Sequence, residues 1–247
     1  MHLRPVVFAV LAAAGAAACA APEPRLYLTT EPPPPAAMVD GGRSADTGTE
    51  KVREIMARAR IAYTIEVLPW KRAYTAALQR PDGCVFSTTR TPERERLFKW
   101  IGPTDEGVWV LMGRADRNFQ LRSLEDARQY RIGTYNGDAR DQYLRERGFT
   151  VDPAQNDLVN PQKLLMGRID LWAASLRRSS TVIAQNGWGA QIVPVLSFYR
   201  TQVYLACNPG VPDELIGRMH AALESMVRDG TARRIEQKAD GIPRAAE

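Results

Sequence analysis

A run of hydroxyl side chains followed by one arginine is the part of the sequence best suited to bind an anion. Ser87 and Thr89 offer hydroxyl donors, and Arg94 offers a planar guanidinium whose paired N–H groups match a carboxylate. The run follows Cys84–Phe86, an apolar stretch typical of a buried strand. Because ligands collect at the carboxyl ends of strands in open α/β sheets, the pattern predicts an anion site. The alternative is an exposed charged turn, since residues 90–96 also carry glutamates that can pair with arginines.

The elements that would position these residues alternate between strands and helices, the pattern of a parallel sheet covered by helices. Strands are predicted at residues 25–30, 61–68, 84–86, 108–112, 131–134, 169–173, 191–195 and 202–207. Helices are predicted to begin at Thr49, Lys71, Asp138, Pro161 and Pro212, and one more follows residue 173. The chain is therefore predicted to be an α/β protein.

Composition excludes several classes of function. The chain of 247 residues has 33 Lys plus Arg against 28 Asp plus Glu, and the small excess forms no basic stripe with interleaved aromatic residues. Nucleic acid is therefore not an expected partner. The two histidines and three cysteines lack the spacing of a metal site, and no glycine-rich phosphate loop follows a strand. We expect neither a metal nor another cofactor.

The first 20 residues are typical of an export signal. Arg4 supplies a positive start, residues 6–18 are apolar or small, and residues 18–20 suit a cleavage site. The apolar run is too short to span a bilayer as a helix. We expect a mature periplasmic chain that begins between Cys19 and Ala21. The alternative is a lipid anchor at Cys19.

Two cysteines remain once the leader is removed. Cys84 and Cys207 form an even pair, which suits an oxidising compartment. Each lies in an apolar segment, and buried free cysteines behave as small apolar side chains. A disulfide and two buried thiols are both compatible with the sequence.

Three short motifs stand in an order that resembles a known family. The motifs are LPWKRAYTAAL at residues 68–78, TPERERLFKWIGP at residues 91–103 and LLMGRIDLWAA at residues 164–174. They resemble family 3 of the bacterial extracellular solute-binding proteins, the periplasmic receptors of polar amino-acid ABC transporters. The likeness runs from about Leu26 to the last helix.

This resemblance implies a type II periplasmic binding protein fold with two lobes. Each lobe would be a mostly parallel sheet flanked by helices, and two crossing hinge segments would join them. Lobe one would take residues 25–106 and 208–247, and lobe two residues 107–207 with the hinge segments. The family also implies a monomer that closes on a small molecule and delivers it to a membrane permease.

In lobe one, the resemblance assigns four kinds of ligand contact. Arg94 matches the family arginine that binds the ligand carboxylate, with Ser87 and Thr89 as the hydroxyls beside it. Trp70 falls near the aromatic wall of the family's cleft, although a core position is the alternative. Glu31 aligns with an acidic residue of the family, and the prolines after it replace the family's tyrosine.

In lobe two, the loop at Tyr135, Gly137, Asp138 and Ala139 is predicted to offer backbone N–H groups at a helix N-terminus. Asp138 stands where the family usually has serine or threonine, so we expect it to cap its own helix. Ser175 stands where amino-acid receptors place the aspartate that holds the ligand's ammonium group. The usual α-amino-acid pocket is thus incomplete.

Three functions are compatible with this resemblance. A solute-binding protein is the first. A periplasmic enzyme similar to cyclohexadienyl dehydratase is the second, because one fold supports several functions. We expect no enzyme activity, since Ser175 replaces the acid and His220 lies on a C-terminal helix. A sensor that signals ligand occupancy to a membrane protein is the third.

Overall fold

The structure is a computed structural model that describes residues 25–33, 38–39, 43–44 and 46–240. The predicted leader, Cys19 and the end of the proline run lie outside the described residues. No helix within the described part of the chain is both long and apolar enough to cross a membrane.

Ten strands and seven helices make up the described chain. The strands are β1 (Arg25–Thr30), β2 (Met38–Val39), β3 (Arg43–Ser44), β4 (Ala62–Val67), β5 (Gly83–Thr89), β6 (Lys99–Arg114), β7 (Ile132–Tyr135), β8 (Val151–Ala154), β9 (Leu171–Ser175) and β10 (Ile192–Cys207). The helices are α1 (Thr47–Ala59), α2 (Trp70–Gln79), α3 (Ala139–Glu146), α4 (Asn160–Leu165), α5 (Leu176–Gln185), α6 (Asp213–Arg228) and α7 (Thr231–Asp240). Short 3₁₀ helices lie at Pro92–Leu97, Leu124–Ala127 and Asp157–Val159.

Eight strands form one sheet in the order β4-β1-β5-β10-β6-β9-β7-β8. At one end β1 is parallel to β4 and β5, and at the other β7 is parallel to β8 and β9. Between them β6 and β10, each of 16 residues, pair antiparallel with each other. Two mostly parallel halves are therefore joined by two crossing strands, which is the two-lobe arrangement that the resemblance implies.

Side chains alternate along the strands, so the core of each lobe is divided into two clusters, one on each face of the sheet. On β5, Cys84 and Phe86 pack in the cluster with α1 and α6, whereas Val85 packs in the cluster with α2. Lobe two follows the same rule, since Trp172 and Leu171 of β9 belong to different clusters. Because side chains alternate across a strand, each half of the eight-stranded sheet is covered by helices on both faces. Trp172 is a buried core residue.

The two long strands differ from the sequence prediction. Residues 108–112 are only part of β6, and the strands predicted at 191–195 and 202–207 are, apart from Gln191, parts of the single strand β10. Register shifts at Pro194/Leu196, Ser197/Tyr199 and Val203/Leu205 break the period-two pattern of β10. Strand β8 was missed because it contains Pro153, which an edge strand tolerates.

Cys84 and Cys207 form a disulfide. They are directly opposite each other on β5 and β10, their Cα atoms are 4.0 Å apart, and both are fully buried. The alternative of two free thiols is therefore wrong. The bridge fixes the end of the crossing strand β10 to the sheet of lobe one.

Candidate functional site

Arg94 is buried at the meeting point of the lobes. It lies in the 3₁₀ helix that follows β5 and is only 2% exposed. Its Nη2 donates to the Gly137 carbonyl oxygen of lobe two at 3.2 Å. Its Nε and Nη1 have no hydrogen-bond partner among the described residues. Arg90, by contrast, pairs with Glu95 at the surface, so the exposed-turn alternative holds for its neighbours and not for Arg94.

Aromatic rings surround the Arg94 guanidinium. Its Cζ lies 4.7 Å from the ring centre of Tyr74 and 5.9 Å from that of Trp70. Cation–π contacts stabilise the charge while leaving the in-plane N–H groups unused. The arrangement gives a desolvated guanidinium with free donors, which is the chemistry of carboxylate recognition.

The predicted hydroxyls lie on β5 just before this arginine. Thr88 is fully buried and donates to the Val85 carbonyl oxygen, whereas Thr89 is half-buried and Ser87 is exposed. Ser87 has a φ of 57°, in the left-handed region, next to a register shift in the β5–β10 pairing. A Cβ added at Gly48 would lie 2.7 Å from the Ser87 hydroxyl oxygen. Gly48 therefore lets the start of α1 approach Ser87 closely.

Trp70 joins the two lobes. Its backbone N–H donates to the Tyr135 hydroxyl at 2.9 Å, and its indole Nε1 donates to the Gly137 carbonyl oxygen at 3.0 Å. The side chain is 4% exposed and belongs to the α2 core cluster. The core position considered for Trp70 is therefore observed, and the same side chain also contacts the loop of lobe two.

Asp138 caps helix α3, as expected. Its Oδ1 accepts from the backbone N–H of Arg140 at 2.8 Å and from Arg140 Nε at 2.6 Å. Burial raises the pKa of Asp138, but the charge and hydrogen bonds of Arg140 and the charge of Arg94 outweigh it, so the pKa is lowered. The preceding Gly137 has a φ of 75°, a conformation that favours glycine. Ala139, the first residue of α3, is buried.

Arg140 and Asp157 are site residues that the sequence did not predict. Arg140 is 6% exposed, and its Nη2 lies 3.5 Å from Asp157 Oδ2. Burial lowers the pKa of Arg140, but Asp138 and Asp157 outweigh it and raise the pKa. Its Nη1 has no partner among the described residues. The signal in the sequence was an arginine two residues after the helix cap, which also occurs on solvated helices.

Glu31 lies across the cleft from Arg178, a third residue that the sequence did not predict for the site. Arg178 Nη1 is 3.1 Å from Glu31 Oε1, and its Nη2 donates to the Pro32 carbonyl oxygen. Burial raises the pKa of Glu31 to about 7, although the charge of Arg178 opposes the shift. Ser175 precedes α5 and makes no side-chain capping bond. A cation from α5, three residues after Ser175, therefore pairs with the acid of lobe one.

A cavity of about 520 Å³ opens between α2 of lobe one and α3 of lobe two. Its lining residues are Lys71, Tyr74, Thr75, Leu78, Arg94, Gly137, Asp141, Gln142, Arg145 and Glu146. The volume suits a small molecule. Among the described residues, no cluster of histidine, cysteine, aspartate and glutamate could hold a metal ion.

Comparison with known proteins gives structural neighbours only. No family model and no curated protein matches the chain. The crystal structure of a histidine kinase sensor domain with similarity to periplasmic binding proteins matches with a TM-score of 0.80 and 18% identity, over 89% of this chain and 97% of that chain. An ancestral arginine-binding protein bound to arginine matches at 0.76 and 21%, over 89% and 99%. An ancestral amino acid-binding protein, a precursor of cyclohexadienyl dehydratase, matches at 0.70 and 18%, over 87% and 95%.

These neighbours define the class of fold. Each is covered almost completely by this chain. The chain therefore has the two-lobe fold of periplasmic binding proteins, which confirms the predicted fold class. The neighbours include amino-acid-binding proteins.

The raised pKa of Glu31 gives the first testable expectation. Because its folded pKa of about 7 exceeds the ordinary 4.5, protonated Glu31 stabilises the fold below about pH 4.5, and this contribution is lost as the pH rises through 7. We expect the wild type to lose about 1 to 3 kcal/mol relative to Glu31→Gln between about pH 5 and pH 8. Urea unfolding across this range measures the difference.

The matched control is Glu224→Gln, because Glu224 is an exposed glutamate that pairs with Arg228 on α6. This variant should follow the wild type at every pH. Parallel curves for the wild type and Glu31→Gln would contradict the expectation.

Proposed function

We propose that this protein is a periplasmic solute-binding protein of an ABC importer. It captures a small, polar, carboxylate-bearing solute, an amino acid or a related compound, between its lobes and presents it to a membrane permease. In this proposal the chain is exported by its leader, acts as a monomer and is either free in the periplasm or anchored by lipid at Cys19.

Arg94 is the observation that carries the proposal. A guanidinium that is 2% exposed and has two nitrogens without partners is costly unless an acceptor meets it. It lies where the lobes touch and lines the cavity between α2 and α3. A carboxylate oxygen placed on Nε or on Nη1 would accept a charge-assisted hydrogen bond from a donor that is otherwise unpaired.

The disulfide supports the proposed compartment. Structural disulfides persist in oxidising compartments such as the bacterial periplasm and are rare in reducing ones. The Cys84–Cys207 bridge agrees with export through the predicted leader. The mass of the mature N-terminus, with a check for acyl groups on Cys19, distinguishes the free from the anchored form.

Native mass spectrometry tests the function directly. Protein purified from the periplasm of the cells that produce it should carry a bound carboxylate-bearing solute and should have the mass of a monomer. Release of the solute by mild denaturation identifies it by tandem mass spectrometry. Absence of any bound solute, together with no shift in melting temperature across amino acids and organic acids, would contradict the proposal.

An enzyme that catalyses an elimination is the second candidate, and Glu31 is the observation that favours it. A general acid must be protonated near neutral pH, and burial raises the pKa of Glu31 to about 7. One structural neighbour is a precursor of cyclohexadienyl dehydratase. However, Glu31 is paired with Arg178, and Ser175 replaces the acid aligned in that enzyme's relatives. The binding function therefore has the better support.

We expect no turnover of prephenate or arogenate. With either compound in excess, product formation should stay at the uncatalysed rate, measured by absorbance of the aromatic product. Turnover that disappears in both Glu31→Gln and Arg94→Ala would establish the enzyme instead.

A further inference from the structure

The side chains at the meeting point of the lobes have an excess of unpaired donors. Five buried side-chain atoms in the described chain have no hydrogen-bond partner, and three of them are guanidinium nitrogens. These three are Nε and Nη1 of Arg94 and Nη1 of Arg140. Guanidinium groups have no acceptor capacity, so an acceptor from outside the protein, such as a ligand carboxylate, would satisfy them.

The two guanidiniums lie on either side of one turn. Arg94 donates to the carbonyl oxygen of Gly137, and Arg140 donates to the carboxylate of Asp138, the next residue. Arg94 belongs to lobe one and Arg140 to lobe two, and the charges of both lower the pKa of Asp138. Both are more than nine-tenths buried.

Every carboxylate near this turn already has a protein partner. Glu31 pairs with Arg178 at 3.1 Å, and Asp138 accepts two hydrogen bonds from Arg140. Asp157 accepts from Trp172 Nε1 at 2.9 Å and from the Asn160 side chain at 3.0 Å. The two carboxylates that line the cavity also accept protein donors, Asp141 from Thr134 and Arg145 and Glu146 from the Gln142 amide, so a ligand ammonium group would meet no carboxylate without a protein partner.

The other two unpaired atoms do not change this balance. They are the hydroxyl oxygen of Thr91 and the amide oxygen of Asn160. Asn160 is fully buried behind β7, where its Oδ1 lies 2.9 Å from the position of a Cβ added at Gly133. A neutral hydroxyl or amide oxygen binds an ammonium group much more weakly than a carboxylate does.

From this balance, we propose that the cleft selects a dicarboxylate without an ammonium group, with one carboxylate on Arg94 and the other on Arg140. This inference rests on the proposed function and narrows its ligand class. Arg140 is then a specificity-determining residue, since it binds the second carboxylate of the ligand. Ser175 contributes by leaving the ammonium position without an acid.

Binding calorimetry on the mature chain with matched probes tests the inference. The dicarboxylates are succinate, glutarate and adipate, the ammonium-bearing counterparts are aspartate, glutamate and 2-aminoadipate, and butyrate has a single carboxylate. We expect the best dicarboxylate to bind roughly 10- to 100-fold more tightly than its amino-acid counterpart and than butyrate, as charged hydrogen bonds are gained or lost.

Arg140→Gln tests the assigned residue. It should lower the affinity for the best dicarboxylate much more than the affinity for butyrate, so that the preference for the dicarboxylate is lost. Arg147→Gln is the matched control, because Arg147 is an exposed arginine at the end of the same helix. Circular dichroism shows whether each variant folds. If Arg140→Gln does not fold, the ranking of probe affinities on the wild type tests the inference instead.

Two results would overturn the inference in different ways. Amino acids that bind as tightly as their dicarboxylate counterparts would refute the ligand class and leave the solute-binding function standing. No binding of any probe, and no solute carried by protein from its native cells, would remove the proposed function together with the inference.

Discussion

Arg94→Ala should lower the affinity for a carboxylate ligand by about 2 to 5 kcal/mol, since it leaves a buried charge without its partner. The reason is burial: the side chain is 2% exposed, and its unpaired Nε and Nη1 are the donors that the ligand would meet. Stability without ligand should change little, because the removed group has unsatisfied donors that already cost free energy. Titration calorimetry with the tightest-binding probe measures the affinity, and thermal unfolding measures the stability.

Arg96→Ala is the control for this experiment. Arg96 lies two residues further along the same 3₁₀ helix but is exposed. Its removal should change affinity and melting temperature by no more than an exposed charge pair, roughly 0 to 1 kcal/mol. Equal small losses in the two variants would refute the assignment of Arg94. Arg94→Lys should recover only part of the affinity, because lysine lacks the planar pair of donors.

Removal of the disulfide should have the largest effect on stability. The Cys84–Cys207 bridge joins residues 123 positions apart. In the chain-entropy model a loop of this length stabilises the fold by about 4 to 5 kcal/mol, because it restricts the unfolded chain. We expect Cys84→Ala/Cys207→Ala to lose stability of this order in urea unfolding, and reduction of the wild type to have a similar effect.

Thiol labelling checks that the bridge exists in the purified protein. Both cysteines should resist alkylation in unfolded, unreduced protein and react after a reductant is added, as followed by mass. Prompt labelling before reduction would exclude the bridge. A double variant as stable as the oxidised wild type would show that the bridge does not stabilise the fold.

The sequence predicted most of the lobes and less of what joins them. The strand at residues 25–30 has the same bounds as β1, because its alternating apolar residues and the prolines after it are local signals. Strands β6 and β10 were recognised only in part. Their length depends on pairing between segments that are distant in the chain, and three register shifts hide the alternation of β10.

Within the site, local signals again decided what could be predicted. Arg94 and the Asp138 cap follow from motifs that span a few residues. Arg140, Asp157 and Arg178 become site residues only through contacts with distant groups, and the Glu31–Arg178 pair joins positions 147 residues apart. Arginines at the start of helices are common on surfaces, so nothing in the local pattern separates these from solvated ones.

The hydrogen bonds of Trp70 to lobe two have a kinetic consequence. The bonds to the Tyr135 hydroxyl and the Gly137 carbonyl oxygen must break before a solute can enter between the lobes. Entry is then gated by lobe opening, so the association rate constant lies below the diffusion limit and the observed rate saturates at high solute concentration. In the proposed binding function, the same bonds would re-form behind the solute and slow its escape, so Trp70 would contribute to the lifetime of the complex.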